Sequence, residues 1–369
     1  MLKVLLAHVP YEVFGGEDQH VAMLEQIYKE IGYEVCLIPN KSDVTLSSAS
    51  RALLGGNDHL WSDSVHGVDF IHLHNLHPIL GPSFLRWIHR SGIPAIMTIH
   101  NHRFYCTNGL ALKNGEICKA CRGKLPWRSI IYNCNNTWKK TAYHAIANTE
   151  IQLQNLLLST VKLFIAPSPY VRNELIEAGV PKEKIRLVMH PVNSSKDEQE
   201  IEYDVIYAGR LSVEKGLPTL LECARVLPNL KFVISGQGPL ASEVAAQTKK
   251  ISNLSYFPSQ THIEVLKLIS KSRVGCIASI CNETFSLFAL ECFLSGKNAV
   301  VPDLESTEWL SRAPFFGTPA NTRSIDSLVR AIQKVVLAPP PSCDSVAELR
   351  EKLSLERFKN EIHAIANLL

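Results

Sequence analysis

No run of residues approaches the ~18–20 consecutive apolar positions that a membrane-spanning helix requires, so the sequence offers no transmembrane segment. Excess charge of one sign is missing too: a formal net charge of +3 over 369 residues is too small to argue for a nucleic-acid partner. The opening MLKVLLAHVP passes straight into a strand pattern with no small-residue cleavage site behind it, which predicts a cytoplasmic protein. No G-x-G-x-x-G follows that first strand, which argues against an NAD-dependent dehydrogenase. What is there is 46% hydrophobic and 20% charged, in a chain long enough for two domains with a core each. Its ten cysteines are expected as thiols in a reducing compartment; Cys36, Cys223, Cys276, Cys281, Cys292 and Cys343 read as core fillers or bystanders.

Apolar periodicity gives two successive α/β series. The first has a strand at Lys3 to His8, a loop from Tyr11 to the Gly15-Gly16 pair, and an amphipathic helix from Asp18 to about Ile31. Strands follow at Tyr33 to Ile38, Asp69 to Leu73, Ala95 to Ile99, Val161 to Ala166 and Ile185 to Met189, with helices at Ser83 to Arg90, Trp138 to Ser159 and from a Ser168 cap to Ala178. Residues 193–202 are polar without apolar period and read as a linker. The second series runs from a strand at Tyr203 to Ala208 through helix Leu217 to Val226, strand Leu230 to Ser235, a helix near Ser242, strand Leu254 to Phe257 and helix His262 to Lys271. A strand from Ser272 to Ser279, a helix capped by Ser286 and stopped by Gly296, a strand at Ala299 to Val301 and a helix from Arg323 to Val336 complete it. Such alternation predicts two doubly wound parallel sheets, over residues 1–192 and 203–345, with a final amphipathic helix in 346–369.

Candidate chemistry gathers at strand ends. Glu283 and Glu291 bracket the start of the Ser286 helix, whose free N–H groups suit a phosphate, so a nucleotide sugar fits with one carboxylate for sugar hydroxyls and one for ribose. The plainer account makes Glu283 a dipole cap and Glu291 a solvated residue. Arg210 and Lys215 at a strand-to-helix turn are what a pyrophosphate leaving group needs, unless one is an ordinary surface residue and the other an accident of the helix start. Gly236 and Gly238 form a bare G-x-G. Histidines 72, 74, 77, 100 and 102 sit at two strand ends, where an α/β sheet puts its chemistry.

A polar insertion over about 104–138 holds Cys106, Cys118, Cys121 and Cys134. Three readings stand: a structural tetrathiolate zinc site, reduced thiols without a ligand, or redox pairing. Phe104, Tyr105, Trp127 and Trp138 either stack on sugars or pack within the insertion. Arg122, Lys124, Arg128, Lys139 and Lys140 either touch anionic lipid head groups or form a solvated basic loop.

Five motifs stand in one order: the Gly15-Gly16 loop in GGED, His100 in TIHN, GRLSVEKG over Gly209 to Gly216, Gly236-Gln-Gly-Pro239, and the E-x7-E from Glu283 to Glu291 with F-x-L at Phe285 to Leu287. Together they resemble retaining glycosyltransferases of family 4, and GGED with a four-cysteine insertion is similar to one bacterial subset; Ser286 departs from the family's Gly. The resemblance implies the GT-B fold: two doubly wound domains facing each other across a cleft, with the C-terminal helix crossing back to the first. It further implies a nucleoside diphosphate sugar donor, a UDP-sugar favoured, held by Arg210, Lys215, Glu283, Glu291, Gly209, Gly236, Gly238 and the segment Thr284, Phe285, Ser286, Leu287. His100 would face the anomeric region, Gly15 and Gly16 the phosphate and acceptor, and no catalytic metal is expected because the leaving phosphate assists the incoming hydroxyl. The implied acceptor is a sugar hydroxyl of a glycan or lipid-linked glycan destined for exopolysaccharide or the cell surface, worked on at the inner face of the membrane. A non-catalytic partner subunit and a nucleotide-sugar epimerase or a phosphorylase on the same fold are the alternatives; an epimerase would release UDP without an acceptor.

Overall fold

The computed structural model describes residues 2–10, 15–39, 52–53, 61, 65–194, 199–258 and 260–369; Tyr11 to Phe14 of the first loop and 195–198 of the linker fall outside these. Two compact units result, one of Met1–Lys113, Cys118–His190 and Phe358–Leu369, the other of Asn114–Ile117 and Pro191–Arg357. Each is built on a six-stranded, wholly parallel sheet, as the alternating pattern requires.

In the first unit the chain forms β1 (Lys3–Ala7), α1 (Gly16–Glu30), β2 (Glu34–Ile38), β3 (Phe70–Leu73), α2 (Gly81–Ser91) and β4 (Ala95–Thr98). The insertion supplies a short hairpin, β5 (Leu112–Lys113) and β6 (Glu116–Ile117), and then α3 (Trp127–Ile131). After α4 (Trp138–Leu153) and α5 (Leu156–Thr160) come β7 (Val161–Ala166), α6 (Pro169–Glu177) and β8 (Ile185–Leu187). A single helix expected from Trp138 to Ser159 is thus two, because Asn155 takes a left-handed φ of 52° that a helix interior does not allow. Sheet order is β2-β1-β3-β4-β7-β8, so the strand order reverses between β1 and β3.

The second unit holds β9 (Tyr203–Ala208), α7 (Leu217–Val226), β10 (Phe232–Ser235), α8 (Ala241–Gln247), β11 (Leu254–Phe257), α9 (His262–Ser270) and β12 (Ser272–Cys276). It continues with α10 (Leu287–Leu294), β13 (Asn298–Pro302), β14 (Gly317–Ala320), α11 (Ile325–Val336) and α12 (Cys343–Lys352). Its order, β11-β10-β9-β12-β13-β14, reverses between β9 and β12. Strand β14, short and carrying Pro319, has no alternating signal to betray it and is missing from the sequence reading.

The final amphipathic stretch is also two helices, α12 and α13 (Leu355–Ala366), separated where Ser354 accepts a hydrogen bond from Arg357 N at 3.2 Å and starts the second one afresh. Within the first unit Phe358, Ile362 and Ile365 pack with Val4, Leu6, Leu24 and Ile96, each such side chain stabilising the unit by about 1.5–3 kcal/mol. Among the described residues no helix is long and apolar enough to cross a membrane.

Histidine is the commonest buried polar residue among the described residues of the first unit. His8, His20, His72, His74 and His190 are buried, and His100 is partly so. His72 lies between the Tyr28 hydroxyl at 2.9 Å and Thr98 Oγ1 at 2.7 Å, and His74 Nδ1 meets His100 Nε2 at 2.9 Å. The rings of His72, His74 and His100 stack in succession, with centroids 4.4 and 5.2 Å apart. Burial, reinforced by the neighbouring imidazoles, holds His20, His74 and His100 well below the ordinary histidine range and His72 down to about 3. His8 is lowered by burial against the opposing pull of Asp18.

These rings are neutral when folded and would take up protons near pH 6.5 when unfolded, so their contribution is complete above that value and is lost as pH falls below it. His262 in the second unit, raised by its bond to Glu291, works in the opposite sense. With His77 and His144, which burial also lowers, seven such rings outweigh one. Unfolding followed by denaturant titration at pH 7.5 and pH 5.5 should show a clear loss of stability at the lower pH, up to about 1.4 kcal/mol per pH unit for each histidine. An unchanged midpoint would contradict a neutral imidazole core.

Candidate functional site

In a doubly wound sheet the carboxyl ends of strands on either side of the reversal diverge, and the gap between their loops is where a ligand is received. In the second unit those loops follow β9 and β12, and they carry the residues singled out from the sequence. After β9 come Gly209 and exposed Arg210, whose carbonyl accepts from the Tyr207 hydroxyl at 2.8 Å. A single 3-10 turn over Val213–Lys215 then leads to Gly216 and α7. Gly216 has a left-handed φ of 73°, and a Cβ there would stand 1.8 Å from the Ala278 carbonyl oxygen. Only a glycine lets the β9 loop settle on the β12 loop, which is further tied by Ile280 N donating to Glu214 O at 3.0 Å.

That settling brings Lys215 to Glu283. The ammonium lies 2.5 Å from Glu283 Oε1, which also accepts from Ser279 Oγ at 2.6 Å, while Oε2 accepts from Ser286 Oγ at 2.7 Å. Burial alone would raise the carboxyl; Lys215, with the two serines, holds it below the usual carboxylate range. Burial by itself would lower Lys215, and Glu283 raises it instead. The pair is therefore ionised at neutral pH.

Ser286 stands at the cap position of α10 but makes no capping bond, since its hydroxyl is turned to Glu283. The expected serine cap is thus replaced by a bond to the carboxylate, and Leu287 N at the first helical position donates to Phe285 O at 2.8 Å. A helix start left in this way is suited to an anion. Thr284, Phe285 and Leu287 line the same turn at intermediate exposure, with Phe285 stacked on Trp309 at 6.4 Å.

Glu291 is not the solvated residue of the plainer account. It is 4% exposed, and its Oε1 lies 2.6 Å from Nε2 of His262 at the first position of α9. Burial pushes its carboxyl up and His262 pulls it partly back. His262 was not singled out from the sequence; its only local signal is the Thr261 cap with Glu264, which marks a helix start and not a site. The β10 loop joins by backbone: Gly209 N donates to Ser235 O at 3.0 Å and Leu211 N to Gln237 O at 2.7 Å. A Cβ on Gly236 would lie 1.9 Å from Gly209 O, so its absence is what allows the two loops to touch; a Cβ on Gly238 would lie 2.4 Å from Leu211 O.

In the first unit the reversal lies between β1 and β3, and the groups there are His8 and His74. Gly15 precedes α1, with its N–H donating to Asp18 Oδ2 at 2.9 Å, and Gly16 opens the helix with open space around its Cα. The other oxygen of Asp18 reaches His8 Nε2 at 2.9 Å. Asp18 therefore fixes the glycine pair to the end of β1, a role that sequence reading did not assign. His100 bonds His74 as described, and a cavity of about 30 Å³ beside it is lined by Glu17, His74, His77, His100, Asn101 and Arg103 among others.

The insertion is pinned by charge. Arg122, expected to be free, is buried and paired with Glu174 at 2.6 Å and with Glu177, while Tyr105 donates to Glu174 at 2.8 Å. Phe104 and Tyr105 pack on one another within the insertion, whereas Trp127 and Trp138 are 55% and 59% exposed and do not join such a core. The thiols of Cys106, Cys118 and Cys134 lie near enough to Cys121 to help burial push it up to about 11. Among the described residues no three such side chains are already arranged as a metal site, and Cys106 Sγ donates to Asn108 Oδ1 at 3.0 Å.

Two family models match the chain in succession, Glycosyltransferase Family 4 over residues 59–196 and Glycosyl transferases group 1 over residues 192–354. No curated protein sequence matches it. Solved structures do. Sucrose-phosphate synthase from Thermosynechococcus elongatus superimposes with a TM-score of 0.73 at 14% identity, over 100% of this chain and 99% of that one. HepE from Anabaena, in complex with UDP and glucose, gives 0.67 at 13% identity over the full length of both chains. The lipopolysaccharide outer core galactosyltransferase WaaB gives 0.62 at 15% identity, again over both full lengths. With two glycosyltransferase domains matched in sequence and the two all-parallel sheets of that fold in place, the chain is a glycosyltransferase of the GT-B type.

Proposed function

We propose that this enzyme moves a sugar, with retention of its anomeric configuration, from a nucleoside diphosphate sugar to a sugar hydroxyl of a growing glycan. The observation that carries the reading is the Lys215 to Glu283 contact beside an uncapped helix start at the strand-order reversal of the second unit. Phosphate oxygens find Arg210, Lys215 and the first N–H groups of α10; sugar hydroxyls find Glu283. Glu291, oriented by His262, takes the ribose hydroxyls, and the segment Thr284 to Leu287 with Gly209, Gly236 and Gly238 gives the donor room. A UDP-sugar is favoured because HepE, of the same fold, is found with UDP and with UDP-glucose.

The chemistry follows from what is already engaged. Both oxygens of Glu283 hold hydrogen bonds, so it is a poor nucleophile and a good ground for hydroxyls. The bond from the anomeric carbon to the diphosphate breaks with its electron pair leaving on the phosphate, where Arg210 and Lys215 stabilise the growing charge. The acceptor oxygen bonds the same face of that carbon and gives its proton to the departing phosphate oxygen. His100, fixed by His74, is the imidazole assigned to the reacting sugar, and Gly15 with Gly16 give close approach to phosphate and acceptor. No catalytic metal has a part in this scheme. The acceptor is a lipid-linked glycan bound for exopolysaccharide or the cell surface, handled at the inner face of the membrane; WaaB, of the same fold, works on lipopolysaccharide.

Structural zinc is proposed for the insertion, with Cys106, Cys118, Cys121 and Cys134 as thiolates, on the ground of their donor type and their nearness to one another. Metal content near one zinc per chain, lost on Cys118→Ser together with Cys121→Ser, is the expected result; four thiols that titrate freely in a metal-free folded protein would remove the metal.

Two further outcomes are expected. In a thermal-shift panel of UDP, GDP and ADP, one nucleotide should stabilise the protein by about 2.7 kcal/mol at ~100 times its dissociation constant, and Glu291→Ala should abolish that shift. No shift with any of them in a folded sample would refute the donor site. The anomeric proton of the transferred sugar, followed by NMR during turnover, should keep the donor's configuration; inversion would overturn the proposed chemistry.

A further inference from the structure

Large apolar side chains are expected to be buried, and those that are not are unevenly distributed here. Of twenty that stand well exposed among the described residues, nine lie between Leu110 and Leu153, a segment of about an eighth of the chain. All three aromatic ones, Trp127, Tyr132 and Trp138, are in that group. On α4 the residues Trp138, Ile146 and Leu153 fall on one face at helical spacing and are 59%, 54% and 68% exposed, while Thr141, Ala145, Asn148 and Ile151 take the buried face. Beside them Ile130 and Ile131 of α3 are turned outward at 40% and 63%. A contiguous apolar face of this kind is rare on a surface with no partner.

Charge says what the partner is. From Ile117 to Thr149 the sequence has no Asp or Glu, while Lys119, Arg122, Lys124, Arg128, Lys139 and Lys140 are all cationic. Lys119 and Arg122 are spent on Glu174, but Lys124, Arg128, Lys139 and Lys140 are exposed and enter no ion pair among the described residues. Arg128 instead lies over the Trp127 ring, 5.5 Å from its centroid. Tryptophan and tyrosine beside exposed aliphatic side chains, with four cations in no ion pair and with Glu150, the one acid on α4, held by Arg86, match the boundary between acyl chains and anionic head groups.

We infer that α3 and the outward face of α4 form a docking surface for an anionic phospholipid bilayer, into which Trp127, Ile131 and Trp138 insert while Lys124, Arg128, Lys139 and Lys140 meet the head groups. The inference deepens the membrane-face part of the proposed function, by naming the face that makes the contact, and it does not depend on the donor chemistry.

Cosedimentation of the full-length protein with phosphatidylcholine vesicles, and with vesicles that are one-third phosphatidylglycerol, tests it. Binding should be at least tenfold stronger to the anionic vesicles, fall in high salt, and be lost in Lys139→Glu with Lys140→Glu. Trp127→Ser with Trp138→Ser should weaken it at least tenfold and remove the blue shift of tryptophan emission that accompanies insertion. Equal binding by these variants, or none by the wild type at low salt, would overturn the assignment. So would a concentration-dependent dimer in sedimentation velocity that the tryptophan substitutions abolish, which would mark the face as an interface between two copies. Nucleotide thermal shifts should be the same in all of these variants, so that loss of the lipid contact and failure of the donor site are read separately.

Discussion

The second unit is organised around one ion pair formed across two loops. Lys215 and Glu283 are 68 residues apart, and they meet because β9 and β12 are neighbours at the point where the sheet's order reverses. Their meeting depends on backbone lying on backbone, Gly216 on the Ala278 carbonyl; Gly236 on Gly209 packs the neighbouring β10 loop against the β9 loop in the same way. A side chain at position 216 would hold the β9 and β12 loops apart and separate the two charges. The pair draws in Ser286, and that diverts the hydroxyl that would otherwise close the start of α10. One contact therefore sets the ionisation of the carboxylate and leaves Ser286 without a capping bond at the start of α10.

The first unit solves a different problem. Its reversal point is lined by imidazoles, of which His8 meets the carboxylate of Asp18, with His72 held between Tyr28 and Thr98 and His74 bonded through its ring nitrogen to His100. Neutral rings satisfy polar strand ends in a buried place without the desolvation cost of a carboxylate. The consequence is a core that is sensitive to acid, and a His100 whose orientation is inherited from His74. The insertion after it is held by the Arg122 to Glu174 pair and, from Ile117 onward, turns an apolar-rich, cationic surface outward.

How much of this was legible in the sequence depends on whether the cause was local. Strands such as Val161–Ala166 and helices such as Leu217–Val226 follow from periodicity and caps, and the two parallel sheets from their alternation. Lys215 and Glu283 were marked by their motifs, although nothing local could say that they touch. His262 could not be found, because what makes it matter is Glu291, placed opposite it by the packing of α9 and α10. Asp18 was read as the first residue of a helix, and its work on His8 and Gly15 is tertiary. The breaks at Asn155 and Ser354 interrupt amphipathic patterns that continue unbroken in sequence.

The division of labour within the ion pair is the most direct thing to measure. Binding of UDP and of its sugar conjugate, by titration calorimetry, should be compared for the wild type, Lys215→Gln and Glu283→Gln. If the cation reads phosphate and the carboxylate reads sugar, Lys215→Gln should weaken UDP itself by at least tenfold, while Glu283→Gln should leave UDP nearly unchanged and abolish the added affinity for the conjugate. Equal weakening of UDP by both substitutions would contradict the account, and would leave Glu283 as no more than a holder of Lys215.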